Sequence, residues 1–317
     1  MDLDAYVNEH GGQWRRLERL ARRRRLPAAE VDELVALYQR AGTHLSVIRS
    51  RSPDPALVAR LTRIVLSARA TLTGTPVFSW RAVGRFFTAA FPAAVRAAWR
   101  WWCAVATVFT VLSLALMQYV AGHPEVQTAM MSPQDIDKLV NQDFAGYYSQ
   151  YGPQNFALEV WTHNALLTAE CLAAGVVLLP VLYLLWGNAV NLGVVGGIMI
   201  GNGHGAEFFG LVTPHGLLEL TAVFVAAGTG LRVGWSWIAP GPDRTRGQSL
   251  TAAARSAMPV ALGLACVLAV SGLLEAFVTP SPLPTAARVG TGLVVWLAFL
   301  GYVVVCGRRR PSGIGDG

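Results

Sequence analysis

Pro214-His215-Gly216-Leu217-Leu218-Glu219-Leu220-Thr221-Ala222 opens an apolar run that reaches about Trp237. A run of this length reads as a membrane crossing, because about 20 apolar residues of helix span the roughly 30 Å of hydrocarbon. His215 and Glu219 stand four residues apart and share one face of that helix. Ionisable groups in hydrocarbon are costly, so the pair marks a candidate functional site.

The rest of the chain supports a membrane reading. Only 14% of the 317 residues are charged and 53% are hydrophobic, against about 25% charged in an ordinary soluble domain. The polar residues are concentrated: residues 1–100 carry 17 of the 26 basic and 8 of the 19 acidic residues. Spanning segments are expected at roughly 101–121, 160–186, 189–212, 214–237, 257–278 and 286–307. The basic segments are the N-terminal region, the 238–256 connection and the Arg308-Arg309-Arg310 tail, whereas the 122–159 loop is acidic. Six crossings put every basic segment on the cytoplasmic side, with both termini inside and the acidic loop outside. The expectation is an all-α, multi-pass plasma-membrane protein with about six transmembrane helices and a cytoplasmic helical region at its N-terminus. The start, Met1-Asp2-Leu3-Asp4, is acidic, so the first apolar helix is expected to act as the membrane signal.

Four parts follow from this division: a helical region at 1–76, an amphipathic interfacial helix at 77–100, a membrane domain at 101–308 and a disordered tail at 309–317. In the first part, helical spacing runs over 3–25, 28–49 and about 55–73. Val7, Trp14, Leu17 and Leu20 share one face, as do Val31, Leu34, Val35, Leu37, Tyr38, Leu45 and Ile48. His10, His44 and His123 read as solvated or capping. In the second part, Phe78, Trp80, Phe86, Phe87, Phe91 and Trp99 interleave with arginines. That pattern suits either the membrane interface or an ordinary amphipathic helix on protein. The Arg22–Arg25 run lacks any nucleic-acid recognition pattern, so no nucleic-acid partner is expected. Cys103, Cys171, Cys266 and Cys306 have no paired spacing and read as small buried residues.

Gly193, Gly197, Gly201 and Gly205 recur every four residues, and Gly230 and Gly234 repeat the spacing. Such glycines let helices approach closely. Gly201-Asn202-Gly203-His204-Gly205 is a poor helix, and a break is expected there. Depth then sorts the polar residues. His215, Glu219, Glu275, Asn164, Asn202 and His204 are expected at one level toward the outer leaflet, with Glu170 near the midplane. This cluster reads first as a latch fixing helix register, next as a binding surface or conduit. The weakest reading is a metal or hydrolytic site using His204, His215, Glu219 and Glu275. His and carboxylate can bind zinc, but the H-x-x-x-E spacing lacks the H-E-x-x-H arrangement that supplies a general base. No catalytic residue, metal or cofactor is therefore expected.

Pro214-His215-Gly216-x-x-Glu219-Leu220-x-Ala222, then Ala227-Gly228-Thr229-Gly230-Leu231-Arg232-Val233-Gly234, then Leu274-Glu275-Ala276-Phe277-Val278-Thr279-Pro280, resembles the stage II sporulation protein M (SpoIIM) family. Asn188-Ala189-Val190-Asn191-Leu192-Gly193 is similar to that family's Asn-Gly-x-x-x-Gly segment, with Ala189 where the family often has Gly. His163-Asn164 stands where it often has Asn-Asn. The resemblance implies an integral membrane protein that organises a cell-envelope complex, with peptidoglycan hydrolases among its partners in spore formers. In non-sporulating relatives it implies the company of a MoxR-type AAA+ ATPase and von Willebrand A-type proteins. A permease-like subunit working with a separate ATPase is the alternative.

Overall fold

The computed structural model describes residues 3–23, 26–51, 54–73, 79–146 and 153–308, and among these every regular element is helical. The chain divides into two units, Met1–Ser79 and Trp80–Gly317.

The first unit holds α1 (Leu3–Ala21), α2 (Ala28–Arg51) and α3 (Pro55–Thr73), close to the expected bounds. Asp54 starts α3 by accepting the Ala56 amide at 2.8 Å, which satisfies one of the free donors of a helix start. The core joins Trp14, Leu17 and Leu20 of α1 with Leu34, Ala41, Leu45 and Ile48 of α2 and Leu61, Ile64 and Ala68 of α3. Val31 and Val35, expected on the buried face, are exposed at 38% and 37%. The inward stripe of α2 follows Leu34, Ala41, Leu45 and Ile48, which leaves those two valines at its edge. His10 and His44 also depart from expectation. Their rings stack at 4.1 Å, and His44 Nδ1 accepts the Trp14 indole N–H at 3.1 Å. His44 thus satisfies the polar edge of a core tryptophan. Burial, and then the charge of neighbouring His10, holds its pKa below the ordinary imidazole value. On the surface, Arg16 makes two bonds to Glu33, at 3.0 and 2.8 Å, and holds that carboxyl below its usual range. Arg22 and Arg23 pair with Glu18 and Glu30. Arg24 and Arg25 lie outside the described residues.

The second unit begins with α4 (Trp80–Arg85), a π turn (Phe86–Ala90) and α5 (Phe91–Ala97). This segment packs on protein through Phe91 and Val95, both buried, while Trp80 and Trp99 stay exposed. There follow α6 (Trp99–Gly122), α7 (Pro124–Met130), α8 (Pro133–Lys138), a π turn (Leu139–Asp143) and α9 (Phe144–Gly146). The long helices are α10 (Pro153–Ala174), α11 (Leu179–Gly201), α12 (Gly205–Ile238), α13 (Arg246–Leu273) with its π turn (Leu274–Val278), and α14 (Thr285–Cys306). Five helices are long and apolar enough to cross a membrane: Trp99–Gly122, Leu179–Gly201, Gly205–Ile238, Arg246–Val278 and Thr285–Cys306. Their outward residues include Val108, Val111, Leu182, Val294, Leu297 and Val305, all exposed. Apolar surface of that extent fits lipid rather than water. The tail 309–317 lies outside the described residues.

The helix boundaries correct the expected spans between 160 and 237. The first break falls at Gly175–Leu178 rather than near 187, and the second at Asn202–His204. Residues 189–212 are therefore shared by α11 and α12, and α12 runs unbroken through Pro214. At the first break Leu178 adopts a left-handed backbone, φ 67°, which L residues with a side chain seldom enter. The turn is held from outside, because the Trp237 indole donates to Val176 O at 3.0 Å.

Helix α12 is the hub, packed against α6, α10, α11, α13 and α14. Its contacts are made through small residues. A Cβ on Gly230 or Gly234 would run into the backbone of Cys171 and Gly175, and one on Gly228 would stand 2.5 Å from the Trp102 backbone. Likewise Gly193 and Gly197 admit α6, where an added Cβ would meet Leu116 and Val120 at 2.7 Å, and Gly201 meets Ala121. Gly205 does not belong to this stripe, because it starts α12 and faces Ile200 of its own turn.

Candidate functional site

Polar residues from three elements meet beside the middle of α12. His215 and Glu219 project one turn apart from α12, and Glu275 comes from the π turn at the end of α13. One potential ligand atom from each of these three lies within 4.8 Å of the others. His215 Nε2 and Glu275 Oε1 are 3.9 Å apart, and both side chains are more than nine-tenths buried. Asn164 of α10 hydrogen-bonds the Glu219 carboxyl. Thr279 Oγ1 lies 3.2 Å from His215 Nδ1, and the Ser271 hydroxyl donates to His215 O at 3.1 Å. One oxygen of Glu275, Oε2, is buried without a hydrogen-bond partner.

The π turn explains why Glu275 points here. Thr279 N bonds Leu274 O at 3.0 Å, an i to i+5 bond that inserts one extra residue into the turn. Such wide turns re-aim side chains and recur at functional sites. Nothing in Leu274-Glu275-Ala276-Phe277-Val278 signals it in advance. Thr279 and Ser271, which sequence reasoning missed, are ordinary small polar residues whose roles appear only once α13 lies against α12.

Four of the six residues expected in one cluster thus come together: His215, Glu219, Glu275 and Asn164. Asn202 and His204 fall elsewhere, because the α11–α12 turn uses both locally. Asn202 Nδ2 donates to Ile198 O at 2.8 Å and to Gln127 Oε1 at 3.2 Å. His204 meets Glu207 at 2.9 Å. Together with α7 and α8 they line a separate cavity of about 400 Å³. Glu170 is exposed and is not central: α10 ends at Ala174, so Glu170 lies only a turn from that end. Arg288 donates to Thr279 O at 2.7 Å and to Thr285 Oγ1 at 3.1 Å. It ties down the 279–285 connection beside the cluster. Trp161 donates to Ala265 O of α13 at 2.9 Å.

The geometry bears on the family question, because the matching motifs lie on α12 and on the π turn that meet at this cluster. Residues 101–280 match the family Stage II sporulation protein M, more than half of the chain. This chain belongs to the SpoIIM family. The family segment runs from α6 through the π turn to Pro280 and so contains His215, Glu219, Glu275 and Asn164. Residues 4–74 match a second family, described as a domain of unknown function (DUF8413), which coincides with the three-helix first unit. No curated protein and no solved structure matches the chain.

Proposed function

We propose that this SpoIIM family member is a plasma-membrane organiser of a cell-envelope complex. It would cross the membrane six times through α6 and α10–α14, with the three-helix unit and the C-terminus in the cytoplasm. The observation that carries this reading is the pairing of a separately packed polar helical unit with a membrane unit locked by backbone contacts at Gly228, Gly230 and Gly234. Such an assembly offers a fixed platform in the bilayer and a folded docking body in water. Its partners would be envelope proteins, peptidoglycan hydrolases among them, and a MoxR-type AAA+ ATPase with von Willebrand A-type proteins. Recovery from native membranes followed by quantitative mass spectrometry tests this. The wild-type chain is expected to bring down envelope enzymes or the ATPase, and His215→Ala and Glu219→Gln to reduce that recovery. Unchanged recovery with both variants removes the cluster from the assembly function.

A permease-like subunit is the second reading, favoured by the ionisable cluster buried between membrane helices. Solute flux into liposomes, with the chain alone and with a co-isolated ATPase, separates the two. Flux absent under both conditions counts against transport.

A further inference from the structure

The converging atoms at His215, Glu219 and Glu275 point to a ligand. Thr279 Oγ1 donates its single proton to Leu274 O, at 3.4 Å. That leaves it able to accept from His215 Nδ1–H; in that tautomer the ring's lone pair is on Nε2, the nitrogen 3.9 Å from Glu275 Oε1. A hydrogen-bonded Nδ1 that fixes the tautomer of a ligating imidazole is the usual outer-shell arrangement at metal sites. The site is then rich in acceptors: one imidazole lone pair and two carboxyl groups. Asn164 hydrogen-bonds Glu219. Glu275, 5% exposed, keeps Oε2 without a partner.

We propose that His215, Glu219 and Glu275 form an intramembrane site for a divalent transition-metal cation of the zinc type. Two carboxylates and a neutral imidazole carry a charge of −2, which one divalent cation cancels, and buried charge survives in low dielectric only when so compensated. One nitrogen and two oxygen ligands suit zinc and its neighbours rather than a soft, thiol-seeking ion. A tetrahedral ion with bonds of about 2.0 Å sets its ligands about 3.3 Å apart. The observed separations, up to 4.8 Å, close to that by small rotations of the two glutamates. His215 and Glu219 sit on one helix turn, and the π turn supplies the third ligand from across the interface. Asn164 orients Glu219, and Thr279 orients His215. The inference is independent of the organiser reading, and its failure leaves that reading standing.

The test uses the purified full-length chain in detergent, loaded with Zn2+ or Co2+ and passed through a metal-free column. One metal per chain is expected, with X-ray absorption of the zinc form showing one imidazole and oxygen ligands and no sulfur. His215→Ala and Glu275→Gln should lose stoichiometric metal, whereas His204→Ala should keep it. Thr279→Val, which preserves shape and removes the bond to Nδ1, should bind roughly 10- to 100-fold more weakly. Substoichiometric metal in the wild type overturns the proposal, as do sulfur ligation or equal loading in folded His215→Ala and Glu275→Gln. Where those two variants do not fold, the absorption spectrum of the wild type and the Thr279→Val affinity decide.

Discussion

The two units solve the same problem, how to hold helices together, with opposite residues. In the first unit, Trp14, Leu17, Leu20, Leu34 and Ile48 fill the interior, and charged side chains face outward, where Arg16 meets Glu33. Water drives that arrangement, because apolar surface gains by leaving it. In the second unit the outward faces carry valine and leucine, and several of the tightest interior contacts involve Gly228, Gly230, Gly234 and Gly292. Lipid gives helices no hydrophobic reason to associate, so association relies on backbones brought close by small residues and on buried polar contacts. The His215, Glu219 and Glu275 cluster is accordingly inside the membrane unit rather than on its surface.

The contrast breaks first at glycine. Gly230→Leu would force a side chain into the Cys171 carbonyl and Gly175. The obstacle is backbone, so the cost should exceed the roughly 1–3 kcal/mol of ordinary overpacking. The expected result is loss of the monodisperse protein in detergent, while Gly290→Ala, with open space around it, behaves as wild type. Equal behaviour of the two would mean that close approach does not hold the bundle. Next comes Leu17→Ala in the first unit. A fully buried leucine truncated to alanine should cost about 2–5 kcal/mol. Hydrogen exchange should accelerate over residues 3–73 and stay unchanged over 205–238. A matching change in α12 would show that the units do not fold separately.

The smallest effect sharpens the comparison through pH. His44 is held below its ordinary pKa by burial and by His10, so the unfolded chain takes up its proton more readily than the folded unit. Its contribution is then fully present above about pH 6.5 and is lost as pH falls through the depressed folded value. Protection factors over residues 3–73, corrected for the base-catalysed intrinsic rate, should fall between pH 7.5 and 5.5 in the wild type. In His44→Gln, whose amide oxygen can still accept the Trp14 indole, the pH dependence should flatten. An identical pH response in the variant would assign the effect to another group.

Sequence revealed the helices of the first unit well because water imposes a periodic pattern: Trp14, Leu17 and Leu20 announce a face. The membrane unit hides its boundaries. Residues 160–186 read as one apolar stretch, and the turn at Gly175–Leu178 is set by the approach of Gly230 and by the Trp237 contact, both more than 50 residues away. Pro214 suggested a boundary where α12 continues. The Asn202–His204 break was legible because glycine and asparagine there do mark a helix end. Of the candidate site, residue identity was readable but placement was not. His215, Glu219, Glu275 and Asn164 were singled out as costly polar residues in hydrocarbon. The π turn that aims Glu275, the support from Thr279 and the departure of His204 to its own turn depend on tertiary contacts.

The span of 64 residues between His215 and Thr279 also has a temporal meaning. A chain made at about 5–20 residues per second leaves roughly 3–13 seconds between synthesis of the imidazole and synthesis of the hydroxyl that meets it. Until Arg246–Leu273 emerges, α12 has neither α13 nor α14 to cover it, and its ionisable residues face the translocon, the lipid or a chaperone. The cluster buried in the finished bundle is thus a liability of the nascent one. Membrane quality-control machinery would meet this protein with Glu219 still lacking its neighbour Glu275.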